Sequence, residues 1–186
     1  MKIIETPIKD LLIIEPNLFK DDRGYFFESF NQNKFAECGL NYTFVQDNES
    51  KSQRGVLRGL HYQLEPYAQT KLVRVLSGKV FDVALDLRKG SQTFGKWFGL
   101  ELNDDNKLQL LIPKGFAHGF AVLSSEAVFY YKCDNFYNKE SEKGIIFNDP
   151  QLSIDWKLKE NDILLSDKDK MLPLFKQSEH NFIFRK

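Results

Sequence analysis

The feature that most constrains the fold of this chain is an alternation of apolar and polar residues with a period of two. In segment 80–88, positions 81, 83, 85 and 87 are Phe, Val, Leu and Leu, whereas positions 82, 84, 86 and 88 are Asp, Ala, Asp and Arg. Successive side chains of a strand point to opposite faces, so this pattern predicts a half-buried strand. Similar patterns predict strands at 42–48, 56–63, 72–76, 96–102, 108–112, 120–123 and 127–133.

Turn signals separate these segments, as at Ser77-Gly78 and Lys89-Gly90. Many short strands joined by turns are typical of an antiparallel sandwich or barrel, and they argue against alternating strands and helices. The length of 186 residues fits one compact domain. We therefore predict a single all-β domain over 1–186.

Helix is predicted at only two places, both short. The first spans 31–38, with Asn31 as its N-cap. The second begins near Ser166, where Ser166 and Asp169 have the spacing of a capping box, and it ends before Pro173. Residues 176–186 are predicted to form a polar tail or an edge segment.

The charge balance argues against nucleic acid or an anionic membrane as a partner. Lys plus Arg and Asp plus Glu both number 26, so the formal net charge is zero. Such a chain has no global field to attract nucleic acid or an anionic membrane. Its two cysteines form no CxxC pair, and no apolar run approaches the length of about 18 residues needed to span a membrane. These features favour a cytoplasmic protein.

The histidines do not have the spacing of a metal site. They are His61, His118 and His180, and none has a second histidine one residue away. A transition metal requires several nitrogen or oxygen donors that converge on it, so we predict no metal. The chain also lacks a GxGxxG motif, a P-loop and a GxSxG elbow, so we predict no cofactor.

Several polar residues interrupt segments that otherwise look apolar. They are Arg58, His61, Lys71, His118 and Tyr131. Each one alone could face solvent or be a satisfied buried group. Because unpaired buried charges are costly, the set as a whole favours a shared polar pocket inside a barrel.

The segments that contain these residues resemble the dTDP-4-dehydrorhamnose 3,5-epimerase family. The resemblance covers about 21–175, and its clearest motifs are Leu-Arg-Gly-Leu-His-Tyr-Gln at 57–63 and Pro-Lys-Gly-Phe-Ala-His-Gly-Phe at 113–120. The remaining motifs lie at 22–28, 44–48, 131–132 with 136–137, and 165–169.

The resemblance implies a cupin-like antiparallel jelly-roll barrel that forms a homodimer and acts without metal or cofactor. The implied substrate is dTDP-4-dehydro-6-deoxy-D-glucose, a 4-keto-6-deoxy sugar nucleotide, and the product is dTDP-4-dehydro-L-rhamnose. Inversion at C3 and C5 requires a base on one face of the sugar, an acid on the other, and a group that stabilises the charge on the oxygen.

The resemblance also implies catalytic roles for particular residues. His61 matches the family's base, and Asp169 matches the carboxylate that orients it. Tyr131 would return a proton from the other face, as a weak acid that stays protonated near neutral pH. Lys71 would lie beside the C4 oxygen, and His118 would contact the sugar or assist the charge balance.

Nucleotide binding is implied for a second set of residues. Arg23, Arg58 and Lys168 match positions that hold the ligand, and cations of this kind suit diphosphate oxygens. Tyr137 matches the residue that stacks on the thymine ring. In a dimer, some contacts could come from the neighbouring chain. The polar positions that match ligand contacts are Glu28, Gln46, Asn48 and Glu142.

The sequence departs from the family at two places and leaves alternatives open. Glu49 stands where many relatives have His, and 132–137 reads Lys-Cys-Asp-Asn-Phe-Tyr instead of the commoner Lys-Thr-Thr-x-Tyr-Tyr. The alternatives are an epimerase of C3 only, an epimerase of another 4-keto sugar nucleotide, a 3,4-ketoisomerase on a similar jelly roll, and a non-catalytic cupin that binds a sugar nucleotide.

Overall fold

The computed structural model describes residues 1–184, which form two antiparallel sheets packed face to face. In pairing order, the six-stranded sheet consists of β1 (Lys2–Glu5), β2 (Leu12–Glu15), β10 (Gln109–Ile112), β7 (Lys71–Ser77), β12 (Glu126–Cys133) and β5 (Gln46–Gln53). The five-stranded sheet consists of β13 (Glu142–Gly144), β6 (Leu57–Gln63), β11 (Phe116–Val122), β8 (Lys79–Asp86) and β9 (Trp97–Asn103). A separate hairpin is formed by β3 (Phe19–Asp21) and β4 (Gly24–Phe26). This architecture confirms the predicted all-β jelly roll.

Strand β8 is buried on both faces, so the prediction that it is half-buried was wrong. Asp82 and Asp86, which lie on the polar face of the alternation, are both 0% exposed. That face points into the space between the two sheets. The apolar face is covered by the C-terminal part of the chain, because Trp156 and Phe182 pack in the same apolar cluster as Leu85.

Five of the predicted strands are found within one residue at each end, namely those at 56–63, 72–76, 96–102, 108–112 and 127–133. The strand predicted at 80–88 ends two residues earlier, because β8 spans Lys79–Asp86. Two other predictions also placed strand boundaries wrongly. The strand predicted at 42–48 begins only at Gln46 and continues to Gln53 as β5, because Tyr42 and Phe44 pack as a loop over Phe35 of the first helix. The segment predicted at 120–123 belongs to the longer strand β11, which contains His118.

Both predicted helices are present. In α1 (Gln32–Glu37), the side chain of Asn31 accepts hydrogen bonds from the first-turn amides, and in α2 (Asp167–Lys170) Ser166 does the same. Single 3-10 turns span Glu160–Asp162 and Phe175–Gln177. None of the helices within residues 1–184 is long and apolar enough to cross a membrane.

Part of the C-terminal segment packs against the barrel, whereas four of the six residues from 176 to 181 are exposed. Phe182 is only 4% exposed, and Ile183 forms an isolated parallel bridge with Lys89. Burial of this aromatic ring in an apolar cluster with Leu85 attaches the segment to the barrel. Residues 185 and 186, at the end of the predicted tail, lie outside the described residues.

Candidate active site

A cavity of about 620 Å³ opens between the two sheets. Its walls come from β5, β7 and β12 of the larger sheet, from β6 and β11 of the smaller one, and from α2. Concave sites with a few convergent polar groups are the usual location of ligand binding. Eight predicted site residues line this cavity: Asn48, Arg58, His61, Lys71, His118, Tyr131, Lys168 and Asp169.

A bulge in β6 brings Arg58 and His61 to the same cavity. These residues are three positions apart, so an uninterrupted strand would place them on opposite faces. On β11, however, their partners Phe120 and His118 are only two positions apart, so β6 contains one extra residue. The strands approach closely here, because a Cβ atom built on Gly59 would lie 2.5 Å from the Cα atom of Gly119.

His61 and Asp169 form a hydrogen-bonded pair at the wall of the cavity. The Nε2 atom of His61 lies 2.5 Å from Oδ1 of Asp169, and Oδ2 of Asp169 accepts a hydrogen bond of 2.9 Å from the Ser166 hydroxyl. Since the ionised carboxylate can only accept, Nε2 carries a proton, and Nδ1 of the neutral ring is left as the acceptor.

The carboxylate of Asp169 is held in its ionised form. Its side chain is only 5% exposed, and burial alone would raise its pKa. The hydrogen bond from His61, together with the Ser166 hydroxyl, reverses that effect and lowers the pKa below its usual value. The backbone amide of Asp169 also donates to Ser166 Oγ, so the start of α2 fixes the residue that holds His61.

Tyr131 and Lys71 lie on the opposite sheet from His61, on the paired strands β12 and β7. Burial raises the pKa of Tyr131 to about 12, so its hydroxyl stays protonated at neutral pH. The Nζ atom of Lys71 is 5.7 Å from the centroid of the Tyr131 ring. Burial lowers the pKa of Lys71, and the neighbouring acidic groups oppose this effect. An acid and a base thus face one cavity from opposite sides.

His118 is paired with Asp82, a residue that the sequence analysis did not include in the site. The Nε2 atom of His118 lies 2.9 Å from Oδ2 of Asp82, and the two residues are 7% and 0% exposed. The imidazole also stacks on Phe129, with centroids 5.9 Å apart. Asp82 was not predicted as a site residue because the alternation placed it on the polar face of β8. A charged residue on a solvent-facing side of a strand gives no signal of a site.

Three further predicted residues form a hydrogen-bonded rim beside the cavity. Tyr137 donates from its hydroxyl to Oε2 of Glu142 at 2.7 Å, and Lys168 contacts the same oxygen at 2.5 Å. The backbone amide of Tyr137 donates to Gln46, whose side-chain amide donates to Asn48 at 3.0 Å. The Tyr137 residue is 54% exposed, so its ring is available to a ligand at the mouth of the cavity.

Arg23 and Glu28 do not line the cavity of their own chain. Arg23 lies in the turn of the β3–β4 hairpin, where it pairs with Asp21 at 2.5 Å and its side chain is 89% exposed. Glu28 pairs with Lys34 of α1 at 2.9 Å. The structure thus does not bring these two side chains together with the other predicted site residues.

The two histidines of the cavity are adjacent in register, but each is bound to its own carboxylate. Within residues 1–184, no group of three or more His, Cys, Asp or Glu side chains is placed to hold a metal ion. What the arrangement offers chemically is a base at His61, a phenolic acid at Tyr131 and an amine at Lys71 around one space. Such a set can remove and return protons on opposite faces of a ligand.

Comparisons with known proteins connect this site to one family. The family model for dTDP-4-dehydrorhamnose 3,5-epimerase matches residues 5–177. The dTDP-4-dehydrorhamnose 3,5-epimerase of Shigella flexneri is 60% identical over 170 residues, which are 91% of this chain and 93% of the relative.

Solved structures agree in fold and sequence. The dTDP-4-dehydrorhamnose 3,5-epimerase of Elizabethkingia anophelis has a TM-score of 0.91 and 62% identity, covering 95% of this chain and 97% of that one. A dTDP-6-deoxy-D-glucose-3,5-epimerase of Legionella pneumophila, solved with dTDP-4-keto-L-rhamnose, has a TM-score of 0.91 and 54% identity, covering 95% and 93%. With its cupin-like jelly roll, this chain belongs to the dTDP-4-dehydrorhamnose 3,5-epimerase family.

Proposed function

We propose that this protein converts dTDP-4-dehydro-6-deoxy-D-glucose to dTDP-4-dehydro-L-rhamnose by inverting C3 and C5. The observation that carries the proposal is the position of His61 and Tyr131, which line one cavity from opposite sheets. A base and an acid on opposite faces of a bound sugar are what inversion requires, since removal and return on the same face would restore the original configuration.

The chemistry follows from the ketone at C4. Nδ1 of His61 takes the proton from C3 or C5, and the electron pair of the broken C–H bond moves to the C4 oxygen to give an enolate. The enolate then takes a proton from the Tyr131 hydroxyl on the other face, and the electron pair returns to form the new C–H bond. Solvent resets the imidazolium and the phenolate before the next inversion.

Two further groups would balance the charges formed in this cycle. Asp169 accepts a hydrogen bond from Nε2–H of His61 at 2.5 Å, and its negative charge would stabilise the imidazolium. Lys71 would lie beside the C4 oxygen and stabilise the enolate. His118, which lines the same cavity, would contact the sugar.

The side chains at the rim of the cavity have the chemistry needed to bind the nucleotide part of the substrate. Arg58 and Lys168 line the mouth of the cavity and could bind the diphosphate, while the exposed ring of Tyr137 could stack on thymine. The polar side chains of Gln46, Asn48 and Glu142 are already linked to one another through Tyr137 and would bind the remaining polar groups of the ligand.

We also propose that the active form is a homodimer in which the β3–β4 hairpin reaches the partner's cavity. The hairpin exposes Phe19 at 65%, Tyr25 at 55% and Phe26 at 71%. Exposed apolar side chains clustered in this way are typical of a protein interface. The same contact would bring Arg23 and Glu28, which do not line the cavity of their own chain, to a ligand in the partner. A cytoplasmic location is proposed as well, since Cys38 and Cys133 are unpaired.

Subunit complementation tests the shared site. We expect Arg23→Ala and His61→Ala to be nearly inactive alone, and a mixture re-assembled from both to regain roughly a quarter of wild-type activity, because half of the dimers would contain one intact site. Mixing His61→Ala with Tyr131→Phe is the matched control, since both residues line the cavity of one chain. Each mixed dimer would then have one damaged residue in each of its two sites, so this mixture should regain no activity. If the Arg23 mixture likewise failed to recover, Arg23 would act within its own chain.

Deuterium incorporation tests the proposed reaction. Incubation with dTDP-4-dehydro-6-deoxy-D-glucose in D₂O is expected to place deuterium at both C3 and C5, as measured by NMR. Uptake at C3 alone would identify an epimerase of one carbon, and a 3-keto product would identify a ketoisomerase. Binding of dTDP without any exchange would identify a non-catalytic protein.

A further inference from the structure

Asp82 is a buried carboxylate with only one of its two oxygens in use. It lies in the middle of β8 and is 0% exposed. Oδ2 accepts a hydrogen bond of 2.9 Å from His118, whereas Oδ1 has no partner among the described residues. A buried carboxylate with an unpaired oxygen destabilises the fold, so its presence in the middle of β8 suggests a functional role.

Asp86, on the same strand, shows what a structural carboxylate looks like in this barrel. It is also 0% exposed, but Oδ1 accepts from the backbone amide and Nε of Arg88, both at 2.9 Å. Its Oδ2 accepts from Ser91 and Thr93, each at 2.7 Å. The charge of Asp86 is thus offset on both oxygens by the fold, whereas Oδ1 of Asp82 has no such partner among the described residues.

The group that this charge would act on is Lys71. Burial lowers the pKa of Lys71, and the acidic groups that raise it are Cys133, Asp82 and Glu142. The Cys133 thiol has a pKa raised by burial to about 11, so it carries no charge at neutral pH. Glu142 is already paired with Lys168 at 2.5 Å. Asp82 is the remaining acidic group, and the geometry connects it to Lys71, because His118 lines the same cavity as Lys71 and is hydrogen-bonded to Asp82 at 2.9 Å.

We propose that Asp82 is a positioning residue whose buried negative charge keeps Lys71 cationic and fixes His118 beside it. This inference rests on the proposed function, in which the Lys71 ammonium stabilises the enolate oxygen. A neutral amine in that place would offer much weaker electrostatic stabilisation. The titratable groups around Lys71 are Tyr131 and Cys133 from β12, Asp82 from β8, His118 from β11, His61 from β6 and Glu142 from β13.

The substitution Asp82→Asn tests the charge, because it keeps an oxygen for His118 and removes the negative charge. We expect the pKa of Lys71 to fall by about one pH unit, as loss of a nearby anion destabilises the ammonium. The lysine ¹³Cε chemical shift, titrated in labelled protein, measures this directly. The alkaline limb of the pH profile for deuterium incorporation should move to lower pH by the same amount.

The kinetic result should separate this role from a structural one. Above neutral pH we expect kcat to fall about tenfold or more, while KM and dTDP affinity change less than about threefold, since the effect falls on the enolate rather than on binding. Asp86→Asn is the matched control, with the same burial on the same strand. It should lower Tm without moving the Lys71 titration or the alkaline limb.

A second variant keeps the inference testable if Asp82→Asn does not fold. His118→Gln leaves the carboxylate in place, so the Lys71 titration should stay where it is or move to higher pH. An unchanged Lys71 titration in folded Asp82→Asn, or a fall in His118→Gln, would overturn the inference. Failure of the proposed function would look different, because the wild-type protein would show no deuterium incorporation while the Lys71 titration still responded to Asp82→Asn.

Discussion

Replacement of His61 by asparagine is expected to reduce deuterium incorporation at C3 and C5 by about 1,000-fold. The imidazole is the base for both carbons in the proposed reaction, and the asparagine side chain cannot take up a proton. Asparagine can still hydrogen-bond to Asp169, so the pair at the cavity wall is disturbed little. NMR of the product formed in D₂O, with the initial rates at both carbons, measures the effect.

The matched control for this variant is His180→Asn. His180 stacks on Phe175 outside the cavity, with centroids 6.1 Å apart, so its loss should affect Tm but not the exchange rates. The affinity of the His61 variant for dTDP should stay near that of the wild type, because the rim residues are intact. Loss of exchange at one carbon only would show that a second base serves the other.

Replacement of Tyr131 by phenylalanine is expected to reduce inversion by about 100-fold or more, because the enolate loses its proton donor on the face opposite His61. The ring itself remains, so packing against Phe129, at 6.1 Å between centroids, is retained. His61 can still remove and return a proton on its own face. Any deuterium that enters the sugar should therefore do so with the original configuration.

Tyr130→Phe provides the control on the adjacent residue. Tyr130 points to the other face of β12, where Arg74 lies 5.7 Å from its ring, and it does not line the cavity. Its replacement should leave the ratio of inversion to exchange unchanged. If Tyr131→Phe inverted the sugar at the wild-type rate, the acid would have to be another group.

The fold was largely predictable because alternation reports burial on one side of a strand. Where both faces are covered, as in β8, the same pattern misleads, since Asp82 and Asp86 look like solvent-facing residues. The three-residue strands β3, β4 and β13 are too short for a period of two to be recognised. Their existence depends on pairing with distant partners, which local patterns do not encode.

Which residues belong to the site could be predicted better than how those residues are arranged. The resemblance named His61, Lys71 and Tyr131, and the structure places them around one cavity. The contact between Asp82 and His118 joins residues that are 36 positions apart, and no local spacing signals it. Arg23 likewise lies outside the cavity of its chain because of the geometry of the β3–β4 hairpin. The identity of the residue as an arginine does not indicate this position.

The extra residue in β6 determines how Arg58 and His61 are spaced along the strand that faces the cavity. If one residue between Arg58 and His61 were deleted, the strand could still pair with β11, because the partners His118 and Phe120 are themselves only two positions apart. Arg58 and His61 would then be two positions apart in a regular strand and would still lie on the same face. A single codon deletion elsewhere in β6 would instead turn the side chains beyond it to the opposite face, so we expect the bulge to tolerate the loss of a residue better than the regular part of the strand.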